Sequence, residues 1–120
     1  MGGMMPNEPP SSAMPHHRLV GYQLALSLVK LIASIRISDA QLRQQARKSA
    51  SSAALNTAEG AARTSRGDKS RCYAIALGEA CEACAAVEIA GALGACSPAH
   101  VEQVLELSVR LKNVLSRLVR

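Results

Sequence analysis

Residues 38–63 read SDAQLRQQARKSASSAALNTAEGAAR, and this stretch decides the fold class. Ser38 followed by Gln41 is typical of a capping box, with Ser38 at the N-cap of a helix that runs to about Arg63. One face of this helix is made almost wholly of small residues, which lets neighbouring helices approach to the short end of the usual interaxial range of ~8–10 Å. The face comprises Leu42, Ala46, Ser49, Ala50, Ala53, Thr57 and Gly60.

A long apolar helix is predicted before this stretch, from about His17 to Ile37. Its polar residues form one narrow stripe, and the rest of its circumference is apolar. A helix of this kind needs cover on several sides, so we expect it to touch a neighbouring subunit as well as its own bundle. The stripe consists of Gln23, Ser27, Lys30 and Ser34.

Two further helices are predicted after residues 38–63. Ser65 is the expected N-cap of a helix that continues to about Leu93. Ser97 followed by Pro98 supplies an N-cap and a first-turn proline for the last helix. Short connections join these elements, so residues 16–120 are predicted to form an all-α, antiparallel, up-down-up-down four-helix bundle. Residues 1–15 hold four of the five prolines and no apolar periodicity, which predicts a disordered tail.

The composition of the 120 residues limits the possible functions. Phe and Trp are absent and there are only two Tyr. This composition argues against a protein that binds single-stranded nucleic acid by stacking the bases on exposed aromatic side chains. The most apolar stretch, Leu19 to Ile35, is interrupted by Gln23 and Lys30 and is too short for a membrane span. We expect no membrane association.

Charge is unevenly distributed along the chain, whose net charge is +5. Residues 36–71 carry +5, residues 72–106 carry −5 without any Lys or Arg, and the last fourteen residues carry +4. Clustered arginines suit recognition of phosphate by bidentate hydrogen bonds, although a solvated charged face is the plainer explanation. The candidate nucleic-acid-binding residues are Arg43, Arg47, Lys48, Arg63, Arg66, Lys69 and Arg71.

The sequence offers little for catalysis. Cys81 and Cys84 form a CxxC inside a predicted helix, and we interpret them as small core thiols. All four cysteines are expected to be reduced thiols of a cytosolic protein. Glu79 and Glu82 have a spacing that would suit a carboxylate metal centre, but the chain lacks the Glu-x-x-His motif of such bundles. We expect these glutamates to pair with arginines of the basic segment or with amides across the bundle. No catalytic residue, metal ligand or cofactor is predicted.

A motif near the end of the second predicted helix resembles that of a known family. Asn56, Ala58, Glu59, Gly60 and Arg63 match the pattern NxAEGxxR of small bacterial four-helix-bundle proteins named for reading frames in intervening sequences of 23S ribosomal RNA genes. The resemblance covers residues 19–120. Further matches to the family pattern are Gln23, Ala25, Ile75, Ala76, Gly78 and Glu82, and Tyr22 stands where the pattern has Trp.

This resemblance implies an antiparallel bundle that assembles as a homopentamer and has no enzymatic activity. The family is related to accessory proteins of diversity-generating retroelements, which bind nucleic acid and associate with a reverse transcriptase. We assign the motif residues Asn56, Glu59, Gly60, Gly78 and Glu82 to the architecture rather than to ligand contact.

Our leading hypothesis is a non-enzymatic, cytoplasmic, oligomeric bundle that binds structured RNA or another nucleic acid through phosphate contacts. The alternative is a protein–protein scaffold, for example an accessory subunit of a reverse transcriptase, in which the acidic third helix and the basic second helix neutralise each other. A metal-dependent enzyme that uses Glu79, Glu82 and the thiols is the weakest candidate.

Overall fold

A computed structural model describes residues 13–120 and shows four helices in that part of the chain. They are α1 (Val20–Ser34), α2 (Ala40–Ala62), α3 (Arg66–Ala92) and α4 (Pro98–Val119). The all-α prediction is confirmed. The predicted disordered tail lies outside the described residues except for its last three.

Contacts between the helices establish the antiparallel arrangement. Glu82 of α3 accepts a hydrogen bond from Gln45, near the start of α2. At the opposite end of the bundle, the hydroxyl of Ser70 donates to the carbonyl oxygen of Val119, which joins the start of α3 to the end of α4. Gly21, at the start of α1, lies against side chains from the end of α4, including Val114. Each helix therefore runs antiparallel to the neighbours it packs on, and α1 and α4 close the bundle.

Side-chain caps start three of the four helices. Ser65 and Ser97 accept from the backbone N–H groups three residues on, at 3.1 Å and 3.2 Å, so both predicted N-caps are confirmed. The prediction of Ser38 as the cap of α2 is wrong, because Asp39 occupies the N-cap and its carboxylate accepts from the N–H of Leu42 at 2.9 Å. A carboxylate also suits the positive end of the helix dipole.

The first helix is shorter than predicted at both ends. His17 belongs to a turn before the helix, where its Nδ1 accepts from the N–H of Met14 at 3.1 Å. At the other end, Ile35 already has an extended backbone, and Ile35 and Ile37 are both buried. Alternate residues of an extended segment point to the same side, so this connection can bury both isoleucines. In a helix, two residues at this spacing would point to different sides. The N–H of Ser38 then donates to the carbonyl oxygen of Ala95 at 2.9 Å, linking the two connections at this end.

The interface between α2 and α3 is built from small side chains, as the sequence predicts. Every residue of the small face of α2 is buried except Leu42, which is half-buried against the core. Gly60 permits the closest approach, because a Cβ atom at this position would lie 2.7 Å from the ring of Tyr73. Five of the nine buried residues of α3 are also alanines: Ala76, Ala80, Ala83, Ala86 and Ala90.

Candidate nucleic-acid interface

The charge of the chain is unevenly divided between its first two and its last two helices. Residues 18–63, which contain α1 and α2, hold seven Lys and Arg against two Asp and Glu and so carry a net charge of +5. Residues 66–120, which contain α3 and α4, hold seven Lys and Arg against six Asp and Glu and carry only +1. The acidic residues are therefore concentrated on α3 and α4, whereas the seven candidate cations lie on α2, at its end and in the first turns of α3.

Three of the candidate cations form a group near the start of α2, which we call the α2 cluster: Arg43, Arg47 and Lys48 line one shallow hollow. The guanidinium of Arg43 is half-buried and donates to the carbonyl oxygen of Ile37 at 2.8 Å. That of Arg47 is exposed and reaches the carbonyl oxygen of Ala33 at 3.5 Å. Arg43 therefore also stabilises the connection, whereas Arg47 and Lys48 present their charge to solvent.

The other four candidates lie where α2 ends and α3 begins, and we call them the junction cluster: Arg63, Arg66, Lys69 and Arg71. The ammonium of Lys69 donates to the carbonyl oxygens of Gly60 and Ala61, at 3.2 Å and 3.0 Å. These are among the last carbonyls of α2, which lack partners within the helix, so Lys69 caps its C-terminus. Arg66 and Arg71 are exposed.

Two arginines that the sequence analysis did not assign to a site lie at this same end. Arg66 donates to the carbonyl oxygen of Arg120 at 3.1 Å, which brings the end of α4 beside the junction cluster. Arg117, in the last turn of α4, is exposed close by. The up-down-up-down topology already implied this neighbourhood, because the end of α4 must meet the start of α3. That signal was present in the sequence.

The two clusters are well separated in the fold. Arg47 lies in α2 and Arg63 is its C-cap residue, sixteen residues further on, which corresponds to about 24 Å along the helix. The α2 cluster and the junction cluster therefore lie at opposite ends of the bundle.

Few of the cations are neutralised by carboxylates. In residues 13–120 the structure contains one ion pair, between Arg63 and Glu59 one turn apart in α2. The hydrogen bond from Arg63, and then its charge, lower the pKa of Glu59. This geometry does not support the scaffold hypothesis in which arginines of the second helix pair with glutamates of the third.

The glutamates of α3 are held instead by neutral groups of α2. Glu79 accepts from the hydroxyl of Ser52 at 3.2 Å. Glu82 accepts from the side-chain amide of Gln45 and, at 3.2 Å, from the buried hydroxyl of Ser49. Of the two partners expected for these glutamates, the arginines are wrong; the expected amide is found for Glu82, in Gln45, whereas Glu79 is held by a hydroxyl group. In the described residues, Glu79 and Glu82 therefore do not neutralise the candidate cations.

The motif residues play different parts in the structure. Asn56 donates to the carbonyl oxygen of Ser52 at 2.9 Å within α2, and Glu59 pairs with Arg63. Gly60 packs on Tyr73, and Glu82 joins α3 to α2 as described above. Gly78 differs, because it is exposed and a Cβ atom added there would meet nothing within 4 Å. Packing within one chain therefore does not account for Gly78.

The thiols do not assemble into a metal or redox site. In the described part of the chain, no group of three or more His, Cys, Asp or Glu residues could hold a metal ion. Burial raises the pKa of the thiols of Cys84 and Cys96, which disfavours the reactive thiolate. Cys72 is also buried, as expected for core thiols, whereas Cys81 is exposed. The interpretation of the CxxC as two core thiols is therefore wrong for Cys81.

Several large apolar side chains are exposed outside α1. Leu55 of α2 is 70 % exposed and Leu93, directly after α3, is 66 % exposed, and Ile75 and Ile89 of α3 are also exposed. On α1, Val20 is exposed, while the other large apolar residues are buried or half-buried. The bundle thus covers α1 more fully than its composition predicts. No helix within residues 13–120 combines the length and hydropathy needed to cross a membrane.

These features define the protein as an antiparallel four-helix bundle with a cluster of cations at each end and an alanine-rich core. The chain belongs to the family described as 23S rRNA-intervening sequence protein, whose family model matches residues 18–117. The resemblance drawn from the motif residues is thereby confirmed. No curated protein sequence matches the chain.

Proposed function

We propose that this protein is a non-enzymatic, cytoplasmic bundle that binds nucleic acid, structured RNA in particular, through phosphate contacts made by the α2 cluster and the junction cluster. The observation that carries the proposal is the lack of carboxylate partners: only Arg63 among the candidates has one in the described residues. Clustered guanidinium and ammonium groups without carboxylate partners attract polyanions.

The family supports RNA as the polyanion. Its description names an intervening sequence of 23S rRNA, and bidentate hydrogen bonds from arginine match the geometry of phosphate oxygens. Contacts of this kind read the backbone rather than the base edges, so low sequence specificity and a steep dependence on salt are expected.

Self-association is the second part of the proposal. A copy of this chain, in a pentamer or another closed ring, would cover the exposed apolar side chains of α2 and α3, among them Leu55 and Ile75. Assembly would also repeat the two clusters several times and so raise the effective concentration of cations around one RNA. Light scattering after size exclusion tests this part, and Ile75→Ser is expected to lower the molar mass if this face is the interface.

The same apolar face favours a second candidate function, in which the bundle is an accessory subunit for another protein, such as a reverse transcriptase. In that case, the exposed side chains of α2 and α3 would bind the partner, and the charge of α1 and α2 would have no direct role. Substitutions at the α2 cluster distinguish the two functions, because they should leave a scaffold unaffected.

Fluorescence anisotropy with a labelled ribosomal-type RNA hairpin, at two salt concentrations, tests the leading proposal. The double variant Arg47→Gln/Lys48→Gln is expected to weaken binding and to reduce the slope of log K against log salt by about one for each lost phosphate contact. The matched control is Arg110→Gln/Lys112→Gln, which also removes two exposed cations but from α4. Binding that is absent at low salt, or independent of salt, would contradict the proposal.

A further inference from the structure

The positive charge of the bundle is concentrated at the end where α2 and α4 end and α1 and α3 begin, which we call the junction end. Counted over side chains, residues 13–21, 59–71 and 114–120 hold seven Lys and Arg against two Asp and Glu, a net charge of +5. The rest of the described chain holds seven Lys and Arg against six Asp and Glu and carries only +1. The junction end therefore carries most of the excess positive charge.

We propose that nucleic acid contacts the bundle chiefly at the junction end, where Arg18 and Arg117 bind phosphates together with Arg66 and Arg71 of the junction cluster. This inference rests on the proposed function and specifies its site, to which it adds two binding residues. The α2 cluster then has a secondary part. Cations from distant parts of the sequence meet here because two helix starts and two helix ends share each end of an antiparallel bundle.

The start of α3 and the end of α4 are in direct contact at the junction end. Arg66 donates to the carbonyl oxygen of Arg120 at 3.1 Å, and the hydroxyl of Ser70 donates to the carbonyl oxygen of Val119. Arg117 lies three residues before Arg120, so the two side chains project from the same face of the last turn of α4. The side chains of Arg66, Arg117 and Arg120 are all exposed. Three guanidinium groups are thus accessible where α3 meets α4.

The turn before α1 adds Arg18 to this region. Gln23 holds the turn in place, because its side-chain amide donates to the carbonyl oxygen of His17 at 3.1 Å. A Cβ atom at Gly21 would lie 3.5 Å from the side chain of Leu118, so the first turn of α1 packs on the last turns of α4. Arg18 precedes Gly21 by three residues and is exposed. It therefore lies beside the end of α4.

Carboxylates offset little of the charge at the junction end, where the two acidic residues are Glu59 and Asp68. Glu59 is already paired with Arg63, and Asp68 lies in the first turn of α3, where a carboxylate suits the helix dipole. After the hydrogen bond and the charge of Arg63, the charge of Arg71 also lowers the pKa of Glu59, which indicates that Arg71 lies near this pair. The other arginines of the junction end have no carboxylate partner in the described residues.

Screening by salt makes the local charge decisive. In about 0.1 M salt, the interaction between exposed charges is largely screened beyond about 10 Å. Arg47 and Arg63 are about 24 Å apart along α2, so the two clusters attract a ligand independently. The α2 cluster also shares its end of the bundle with the end of α3 and the start of α4, which hold Glu88 and Glu102 without any Lys or Arg. A polyanion is therefore attracted more strongly to the junction end.

Three double variants locate the site, because each removes two exposed cations and lowers the net charge by the same amount. They are Arg18→Gln/Arg117→Gln at the junction end, Arg47→Gln/Lys48→Gln in the α2 cluster and Arg110→Gln/Lys112→Gln on α4. Fluorescence anisotropy measures the affinity of the full chain for a labelled RNA hairpin at several salt concentrations. The first variant is expected to weaken binding by about tenfold or more in about 0.1 M salt and to reduce the slope of log K against log salt by about two. The second variant is expected to lose less affinity, and the third to lose the least.

Two further measurements distinguish binding from a structural role. Arg18→Lys/Arg117→Lys keeps both charges and is expected to retain most of the affinity, and thermal unfolding of each variant establishes that the bundle is intact. Arginine footprinting with phenylglyoxal uses the wild-type chain and so depends on no substitution. Bound RNA is expected to slow the modification of Arg18, Arg66 and Arg117 and to leave that of Arg36 and Arg110 unchanged. The rates are compared with those of the RNA-free protein at the same concentration.

The outcomes separate this inference from the proposed function. If the three glutamine variants lose equal affinity, net charge rather than a site governs binding, and the inference is overturned while binding of nucleic acid stands. The inference is also overturned if bound RNA protects Arg36 or Arg110 as fully as Arg18 and Arg117. If no nucleic acid binds at low salt, both the inference and the proposed function are overturned.

Discussion

The same substitution at two glycines should change the stability of this bundle in opposite directions. Gly60 of α2 and Gly78 of α3 both lie inside helices and both belong to the family motif. At Gly60, an added Cβ atom would lie 2.7 Å and 2.9 Å from two ring carbons of Tyr73, a side chain that is 5 % exposed. At Gly78, the added atom would meet nothing within 4 Å.

The expected magnitudes follow from two opposing effects. Alanine is more favourable than glycine in a helix interior by about 0.5–1 kcal/mol, and this gain applies at both sites. At Gly60 it is outweighed by overpacking, which costs about 1–3 kcal/mol in a close-packed core. The buried ring of Tyr73 cannot move aside without shifting α3. We therefore expect Gly60→Ala to lower the free energy of unfolding by about 1–2 kcal/mol and Gly78→Ala to raise it by about 0.5–1 kcal/mol.

Urea unfolding followed by circular dichroism measures both changes, with the wild-type chain as reference. All three proteins are compared at one protein concentration, because assembly would add to the apparent stability. In thermal unfolding, a loss of 1 kcal/mol corresponds to about 4–8 °C for a domain of this size. If Gly60→Ala is as stable as the wild type or more so, the close contact between Gly60 and Tyr73 is refuted, and with it the described packing of α2 on α3.

Three further predictions concern single side chains. Asp39→Ala should cost about 1 kcal/mol of unfolding free energy, whereas Ser38→Ala should change it by less than about 0.5 kcal/mol; equal costs in urea unfolding would contradict the observed cap. In native protein, Ellman's reagent should modify the thiol of Cys81 quickly and the three buried thiols slowly. The substitution Cys81→Ser should remove the fast phase of this reaction. A fast phase that survives the substitution would exclude Cys81 as its source. Because Arg63 lowers the pKa of Glu59, their pair stabilises the fold above the ordinary glutamate pKa of 4.5 and loses this effect as the pH falls through the lowered value. The difference in Tm between the wild type and Glu59→Gln should therefore be small at neutral pH, decrease with added salt, and vanish in acid. A difference that grows on acidification would contradict the assignment.

Much of the fold followed from local patterns. The small face of α2 identified the buried side of that helix correctly, since Ala46, Ala50 and Ala53 are completely buried. The caps at Ser65 and Ser97 were found because hydroxyl side chains at helix starts have a distinctive sequence context. Ser38 was predicted as the N-cap of α2, but the neighbouring Asp39 caps the first turn of this helix.

The candidate site was predicted less completely. Residue types identified the cations, but partners across the bundle could not be assigned from spacing alone. Ser49 and Ser52, rather than arginines, accompany the glutamates of α3, because the register between two helices depends on how their side chains interlock. Residues such as Arg117 were left out because they are distant in sequence from the basic segment they join.

The amino-acid sequence by itself determined that this chain is a four-helix bundle of the 23S rRNA-intervening sequence family, since helix periodicity, caps and the NxAEGxxR motif are local properties of neighbouring residues. Only the tertiary structure decided how the charge is arranged in space. The length of α2 divides the cations into two clusters, and the packing of α2 on α3 gives Glu79 and Glu82 neutral partners in place of arginines. Charge acts through distance in three dimensions, which the order of residues along the chain does not specify.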